Sequence, residues 1–280
     1  MHASNSEIVT RKGFTLIELS IVLVIIGLIV GGVLVGQDLI KAAEIRATVA
    51  QYEKYNASVN TFRTKYNGIP GDLASTTASA FGLFATGMTG GDGLGDGDGL
   101  VEGTAGAKVN FGEALVFWRH LSDAQLVEGN FGGQMITAGD VNATLTSSTI
   151  GNYFPGGKIG RGNYFSANVT TGLNYYLLMG MTAVTQGSGA TTYTNQITPI
   201  EAFNIDTKID DGAPNTGIAN ARGTTGPFSP VSSTQATWAA SPTSECMTSG
   251  GAATTATTTY NRSASTGGNT PACGLRLRFN

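Results

Sequence analysis

The sequence predicts an α+β protein: a long N-terminal helix followed by a β-rich body with large loops. Three observations carry this. Residues 14–37 form a 24-residue run with a single charged side chain, Glu18. An apolar stripe at helical spacing follows it without a break, to residue 66. Beyond residue 68, glycine, serine and threonine are dense, and short apolar-aromatic runs alternate with turn signals.

The first element is the apolar run. A helix of about 20 such residues crosses a hydrocarbon core of about 30 Å. Arg11 and Lys12 lie just before it, on the side that stays cytoplasmic under the positive-inside rule, which places the long C-terminal part outside the cytoplasm. A secretory signal peptide has a shorter apolar region followed by a small-residue cleavage site; here the run is too long and no Ala-x-Ala pattern follows. A plain signal anchor fits less well. It accounts neither for a carboxylate inside the run nor for Gly13 standing between the basic pair and the run.

The second element continues the first. Ile45, Val49, Tyr52, Val59, Phe62 and Tyr66 recur at spacings of 4, 3, 7, 3 and 4, with charged and amide side chains between them. This is an amphipathic helical stripe. Asn67-Gly68 followed by Pro70 ends it. Residues 14–66 would form one helix of 53 residues, about 80 Å long at 1.5 Å per residue. Its first half is apolar on all faces, and its second half needs a sheet or another element to cover one face.

Arg11-Lys12-Gly13-Phe14-Thr15-Leu16-Ile17-Glu18-Leu19 resembles the prepilin-type cleavage and methylation motif shared by type IV pilins and type II secretion pseudopilins. The resemblance is close over residues 11–40 and weaker to about residue 70. It implies cleavage by prepilin peptidase between Gly13 and Phe14 and N-methylation of Phe14. It also implies pairing of Glu18 with the Phe14 amine of a neighbouring subunit during assembly. An ionised side chain in a bilayer is costly, so a low-dielectric filament core would favour the paired state and fix subunit register; the alternative for Glu18 is snorkelling to the headgroups. Many pilins carry a proline near the end of this segment, whereas this chain has Gly31-Gly32-Val33-Leu34-Val35-Gly36. Those glycines loosen a helix by up to about 1 kcal/mol each relative to alanine, or let helices approach closely.

The domain organisation that follows is a leader at 1–13, a membrane and assembly half-helix at 14–37, an amphipathic half at 38–67 and an extracytoplasmic head at 68–280. The resemblance implies a pilin-like fold with the helix on an antiparallel sheet. It also implies a single pass through the inner membrane with a cytoplasmic N-terminus, and then a periplasmic or extracellular filament. The implied partners are other pilin subunits, prepilin peptidase, an inner-membrane assembly platform and membrane lipid. Loss of Glu7, Arg11 and Lys12 with the leader removes a net +1, so the formal charge of -3 becomes -4.

In the head, residues 71–110 read as loop. Asp92, Asp96, Asp98 and Glu102 lie close together on a glycine-rich backbone, which suits Ca²⁺ with its six to eight oxygen ligands. Their spacing is not that of an EF-hand, and a solvated turn is the alternative. Asp206, Asp210 and Asp211 form a second acidic turn, structural first and a calcium candidate second. Residues 111–128 predict a helix with Leu115, Trp118 and Leu121 inward and Gly129 as its stop. His120, with no second ligand at metal spacing, reads as a packing or surface histidine. Asn152-Tyr-Phe, Asn163-Tyr-Phe-Ser and residues 173–179 predict strands or a short helix. Leu275, Leu277 and Phe279 alternate with Arg276 and Arg278 as a terminal strand. Cys246 and Cys273 lie in a compartment where disulfides persist, and type IV pilins often close a C-terminal loop with one.

Composition bounds the function. Glycine is 40 of 280 residues, roughly twice normal usage, and charged residues are 12%, about half the usual share. A chain this weakly charged, with a formal -3, is not built to bind nucleic acid. No phosphate loop, nucleophile elbow or paired Cys-x-x-Cys is present, so nothing supports an enzyme and no cofactor beyond calcium is expected. The expectation is a structural subunit of a type IV pilus-like filament. The alternatives are a type II secretion pseudopilin, toward which calcium sites lean, and a membrane-tethered adhesin.

Overall fold

The computed structural model describes residues 13–85, 95–101, 112–132, 144–146, 148–170, 172–185, 191–222, 246–248, 259–263 and 268–279. The chain divides into two compact units, residues 1–43 and 44–280. Helix α1, Leu16–Tyr66, runs through the boundary as 51 residues. It starts two residues later than the apolar run because Thr15 serves as its cap rather than its first turn.

In the first unit, large apolar side chains from Phe14 to Ile40 are exposed on every face of α1. It is the one helix among the described residues that is long and apolar enough to cross a membrane. Nothing lies within 4 Å of the positions a Cβ would take at Gly27, Gly31, Gly32 and Gly36.

In the second unit, α1 is one-sided. Ile45, Thr48, Tyr52, Tyr55, Ser58, Val59, Phe62 and Tyr66 are buried. Tyr55 and Ser58 fill the seven-residue gap in the apolar stripe, the first by packing and the second by donating to Leu126 O at 2.9 Å. The helix ends as Asn67 turns left-handed at φ 56°, its N–H on Arg63 O. Asparagine tolerates that conformation, so the stop is Asn67 itself rather than the glycine after it.

Residues 71–110 are not all loop. Ser75–Ala80 form a short helix, α2. Its Ser-Thr-Ala sequence offers no large apolar period, and only Ala78 is buried, so no pattern announces it. The helix expected over 111–128 is also shorter: α3 spans Glu113–Asp123. Gln125 takes a left-handed φ of 59° and donates to Ser122 O, while Leu126 N–H reaches back to Leu121 O. This is a Schellman end with glutamine where glycine usually sits, which the composition hides.

The sheet is built around one long strand. With β1 at Thr144–Thr146, β2 at Asn163–Thr170, β3 at Leu173–Thr185, β4 at Thr191–Thr194, β5 at Ala219–Arg222 and β6 at Gly274–Arg278, every pairing among them is antiparallel. β3 takes β2, β6, β4 and β1 along its length, and β5 adds to β6. The register against β4 shifts between Met181 and Ala183, a bulge that lets β3 serve different partners. Asn152-Tyr-Phe is neither strand nor α-helix: a 3-10 turn at Ile150–Asn152 carries Tyr153 and Phe154 inward.

The terminal strand buries Leu275, Leu277 and Phe279, while Arg276 stacks over Tyr175 at 4.7 Å and donates to Asn220 Oδ1. Helix α4, Pro199–Ile209, opens with a capping box between Thr198 and Glu201. Between α1, α3 and the sheet lies an aromatic core. Tyr55 meets Trp118 at 4.8 Å and Phe165 at 5.2 Å, and Phe279 stacks on the fully buried Tyr176 at 4.3 Å. Tyr52 O–H donates to Arg278 O at 2.7 Å and ties the C-terminal strand to the helix.

Candidate functional site

The expected processing and assembly residues sit at the start of α1. Gly13, Phe14 and Thr15 precede the helix, and Phe14 is 90% exposed. Thr15 is the N-cap. Its Oγ1 accepts the Glu18 N–H at 3.3 Å, and the Glu18 carboxylate accepts both the Thr15 backbone N–H and its hydroxyl at 2.8 Å through Oε2. This reciprocal pair is a capping box. A helix N-terminus also carries a partial positive charge that favours a carboxylate there. The Thr-x-x-Glu spacing that encodes the box lies inside the cleavage motif.

The acidic residues fall into two groups. In the first, Asp72, Asp96 and Glu113 bring one carboxylate oxygen each within 4.8 Å of one another. Asp72 follows the end of α1, and Glu113 opens α3. Asp72 is almost fully buried, and its two oxygens accept the N–H groups of Gly97 and Gly99 at 2.8 Å. Burial pushes its carboxyl up to about 6, against the pull of those two N–H bonds. Of the residues expected at this loop, Asp96 is in the trio. Asp98 instead accepts Leu100 N–H in a local turn. Asp92 and Glu102 lie outside the described residues. Asp72 and Glu113 are far from the glycine loop in sequence, and no acidic run marks either.

The second group is Asp206, Asp210 and Asp211, again within 4.8 Å. Asp206 is fully buried at the end of α4. It accepts the Tyr260 hydroxyl at 2.7 Å and Gly212 N–H at 3.1 Å. Burial pushes it too up to about 6. Asp210 accepts Ile218 N–H, and Asp211 accepts Ala213 N–H and the Thr216 hydroxyl. Three carboxylates on a turn can supply part of a calcium shell of six to eight oxygens, and each oxygen of Asp72 and Asp206 accepts one hydrogen bond as the protein stands.

Cys246 and Cys273 are joined, both fully buried, with Cα atoms 5.2 Å apart. The bond closes a segment that includes Tyr260, the partner of Asp206, and Asn261 N–H returns to Cys246 O. It thereby links the second acidic group to the root of β6. His120 is a packing residue, 1% exposed and held by backbone groups on both ring nitrogens.

Residues 9–34 match the family model of the prokaryotic N-terminal methylation motif. The chain carries the prepilin signature. The motif covers Gly13, Phe14, Thr15 and Glu18 and ends within the exposed apolar part of α1. It supports membership of the type IV pilin and pseudopilin group, whose members are structural subunits that assemble into filaments, and it fits membrane anchoring through the apolar helix. Neither the curated proteins nor the solved structures contain a match to the chain.

Proposed function

We propose that this chain is a structural subunit of a type IV pilus-like filament, cut after Gly13, N-methylated on Phe14 and assembled through the first part of α1. The observation that carries the reading is a methylation motif placed on a helix whose apolar side chains, from Phe14 to Ile40, have no partner within their own unit. The basic leader orients the precursor, with its N-terminus in the cytoplasm and its head outside, and is then removed. The membrane stores the exposed helix until the assembly platform passes it into a bundle of like helices.

Register comes from Glu18. Its carboxylate is held at the helix start by Thr15, one turn from the amine that cleavage creates on Phe14. A neighbour's amine pairs with it, and in a low-dielectric bundle a subunit out of register would leave both charges unpaired. The work is assembly rather than catalysis.

Mass spectrometry of the processed chain should find N-methyl-Phe14 at its start, and an intact leader would sink the reading. Glu18→Ala should still insert into the membrane yet drop out of filaments; normal incorporation would remove the register role. The two carboxylate trios support a second reading, a type II secretion pseudopilin whose head holds calcium as a structural ion. The disulfide favours the pilin. Neighbouring genes for a pilus or for a secretion machine decide between them, and a tethered adhesin would show neither.

A further inference from the structure

His120 joins three parts of the head. It stands on α3, its ring lies parallel to Phe62 of α1 at 5.9 Å, and its two nitrogens hold the connector that leaves α1. Nδ1 accepts Gly71 N–H at 2.9 Å, and Nε2 faces Phe84 O at 2.8 Å. An amide N–H can only donate and a carbonyl can only accept. The ring must therefore be neutral, with its proton on Nε2. An imidazolium carries a proton on Nδ1 as well, which would point at the Gly71 N–H, donor against donor.

We propose that His120 is an acid-opened latch: only its uncharged ring can hold Gly71 of the 67–85 connector against α3, and protonation releases Gly71.

The surroundings give the cation little shelter. Burial opposes charge on the ring and lowers its proton affinity, and Arg119 adds to this, while the Phe84 carbonyl and Asp123 act the other way. Asp123 is already engaged, by Arg119 Nε at 2.7 Å and by Phe84 N–H at 3.2 Å. From α1 the ring meets Phe62. From the connector it meets backbone, and the next residue, Asp72, turns its carboxylate to Gly97 and Gly99. Gly71 cannot retreat into the space behind it, since even a Cβ there would strike Glu113 O. The displaced peptide must move away from α3. It takes Asp72 with it and loosens the Gly97–Gly99 backbone, which Asn174 of β3 holds from the other side at Gly99 O, 2.8 Å away.

The test is NMR of the full chain in detergent micelles, carrying His2→Ala so that one imidazole remains. The expected result at pH 7.5 is the neutral ring protonated on Nε2. On acidification the Gly71 and Phe84 amides should shift with the same midpoint as the ring, below about 6.5. Gly71 exchange protection, corrected for intrinsic rate, should fall by up to tenfold for each pH unit below that value. In His120→Asn, whose amide oxygen can replace Nδ1 as acceptor, this acid step at Gly71 should vanish. A ring protonated on Nδ1 at pH 7.5, a titration that leaves the Gly71 amide unmoved, or loss of the whole head in the same step would each overturn the latch. If His120→Asn fails to fold, the unsubstituted ring still decides.

Discussion

The two parts of α1 are made of one continuous helix and follow opposite rules. From Phe14 to Ile40 large apolar side chains are exposed on all sides. From Ile45 to Tyr66 one face is buried and the other carries Arg46, Glu53, Lys54, Arg63 and Lys65. The second part is stabilised inside the head, where Tyr52, Tyr55 and Phe62 meet other aromatics. The first part has no such stabilisation within its own unit, and burying it relies on lipid or on other chains. Apolar content therefore says that a segment will be buried, whereas its periodicity says whether the same chain does the burying.

The largest expected effect tests this division. Phe62 is fully buried, so Phe62→Ala should cost about 3–5 kcal/mol and lower the melting temperature of the head by roughly 6–20 °C, read by circular dichroism in micelles. Ile25→Ala in the first part should leave that melting within about 0.5 kcal/mol and act on filament yield instead. A head that responds equally to both substitutions would erase the distinction.

The disulfide comes next. Its closure of a 27-residue separation is worth about 3.5 kcal/mol in the chain-entropy model. Replacing both Cys246 and Cys273 by serine should lower head melting by that much and leave membrane insertion of the first part unchanged. Because Tyr260 lies inside the closed segment and donates to Asp206, fluorescence or NMR of Tyr260 should report its release. An unchanged melt in the double variant would mean the head holds this segment without the bond.

Asp206 gives a smaller, pH-dependent effect. Its folded value, about 6, lies above the ordinary 3.8. The folded state thus binds the proton more tightly, and this contribution to stability is fully present below about 3.8 and lost as pH rises through 6. In EDTA, the stability of Asp206→Asn relative to the unsubstituted chain should improve by about 1–3 kcal/mol between pH 4 and 6.5. Asp72 and His120 are present in both chains, so their contributions cancel in the difference. If the second trio holds Ca²⁺, millimolar Ca²⁺ at pH 7 should raise the melting of the unsubstituted chain more than that of the variant. A melt indifferent to both Ca²⁺ and chelator removes calcium from the head.

Much of this was legible in the residues, and the failures have a common cause. The apolar half of α1, its amphipathic half and the terminal strand are long or regular enough for hydrophobic period to show them. Helix α2 is six residues of small side chains with one buried alanine, below what a pattern can reveal. The end of α3 is set by backbone hydrogen bonds around Gln125 rather than by a glycine. Asp96 was visible because it sits in a dense acidic run. Its companions Asp72 and Glu113 come from the end of α1 and the start of α3, and only the fold brings them together. His120 was separable from a metal ligand by the absence of companions, whereas its two backbone partners depend on tertiary contact.

The smallest expected effect lies at the start of the first part, where a buried core contributes nothing. Thr15→Val removes the hydroxyl that accepts Glu18 N–H and donates to Glu18 Oε2 while keeping the side-chain shape. Loss of an N-cap costs about 1 kcal/mol, all of it local, so head melting should not move. Exchange of the Glu18 and Leu19 amides in micelles should quicken by about fivefold. Glu18 would keep its charge and the Thr15 backbone N–H but lose the hydroxyl that helps fix its rotamer at the helix start, so filaments should form more slowly rather than disappear, unlike with Glu18→Ala. Assembly at the normal rate despite faster exchange would show that register depends on the charge of Glu18 alone, with no contribution from how Thr15 holds it.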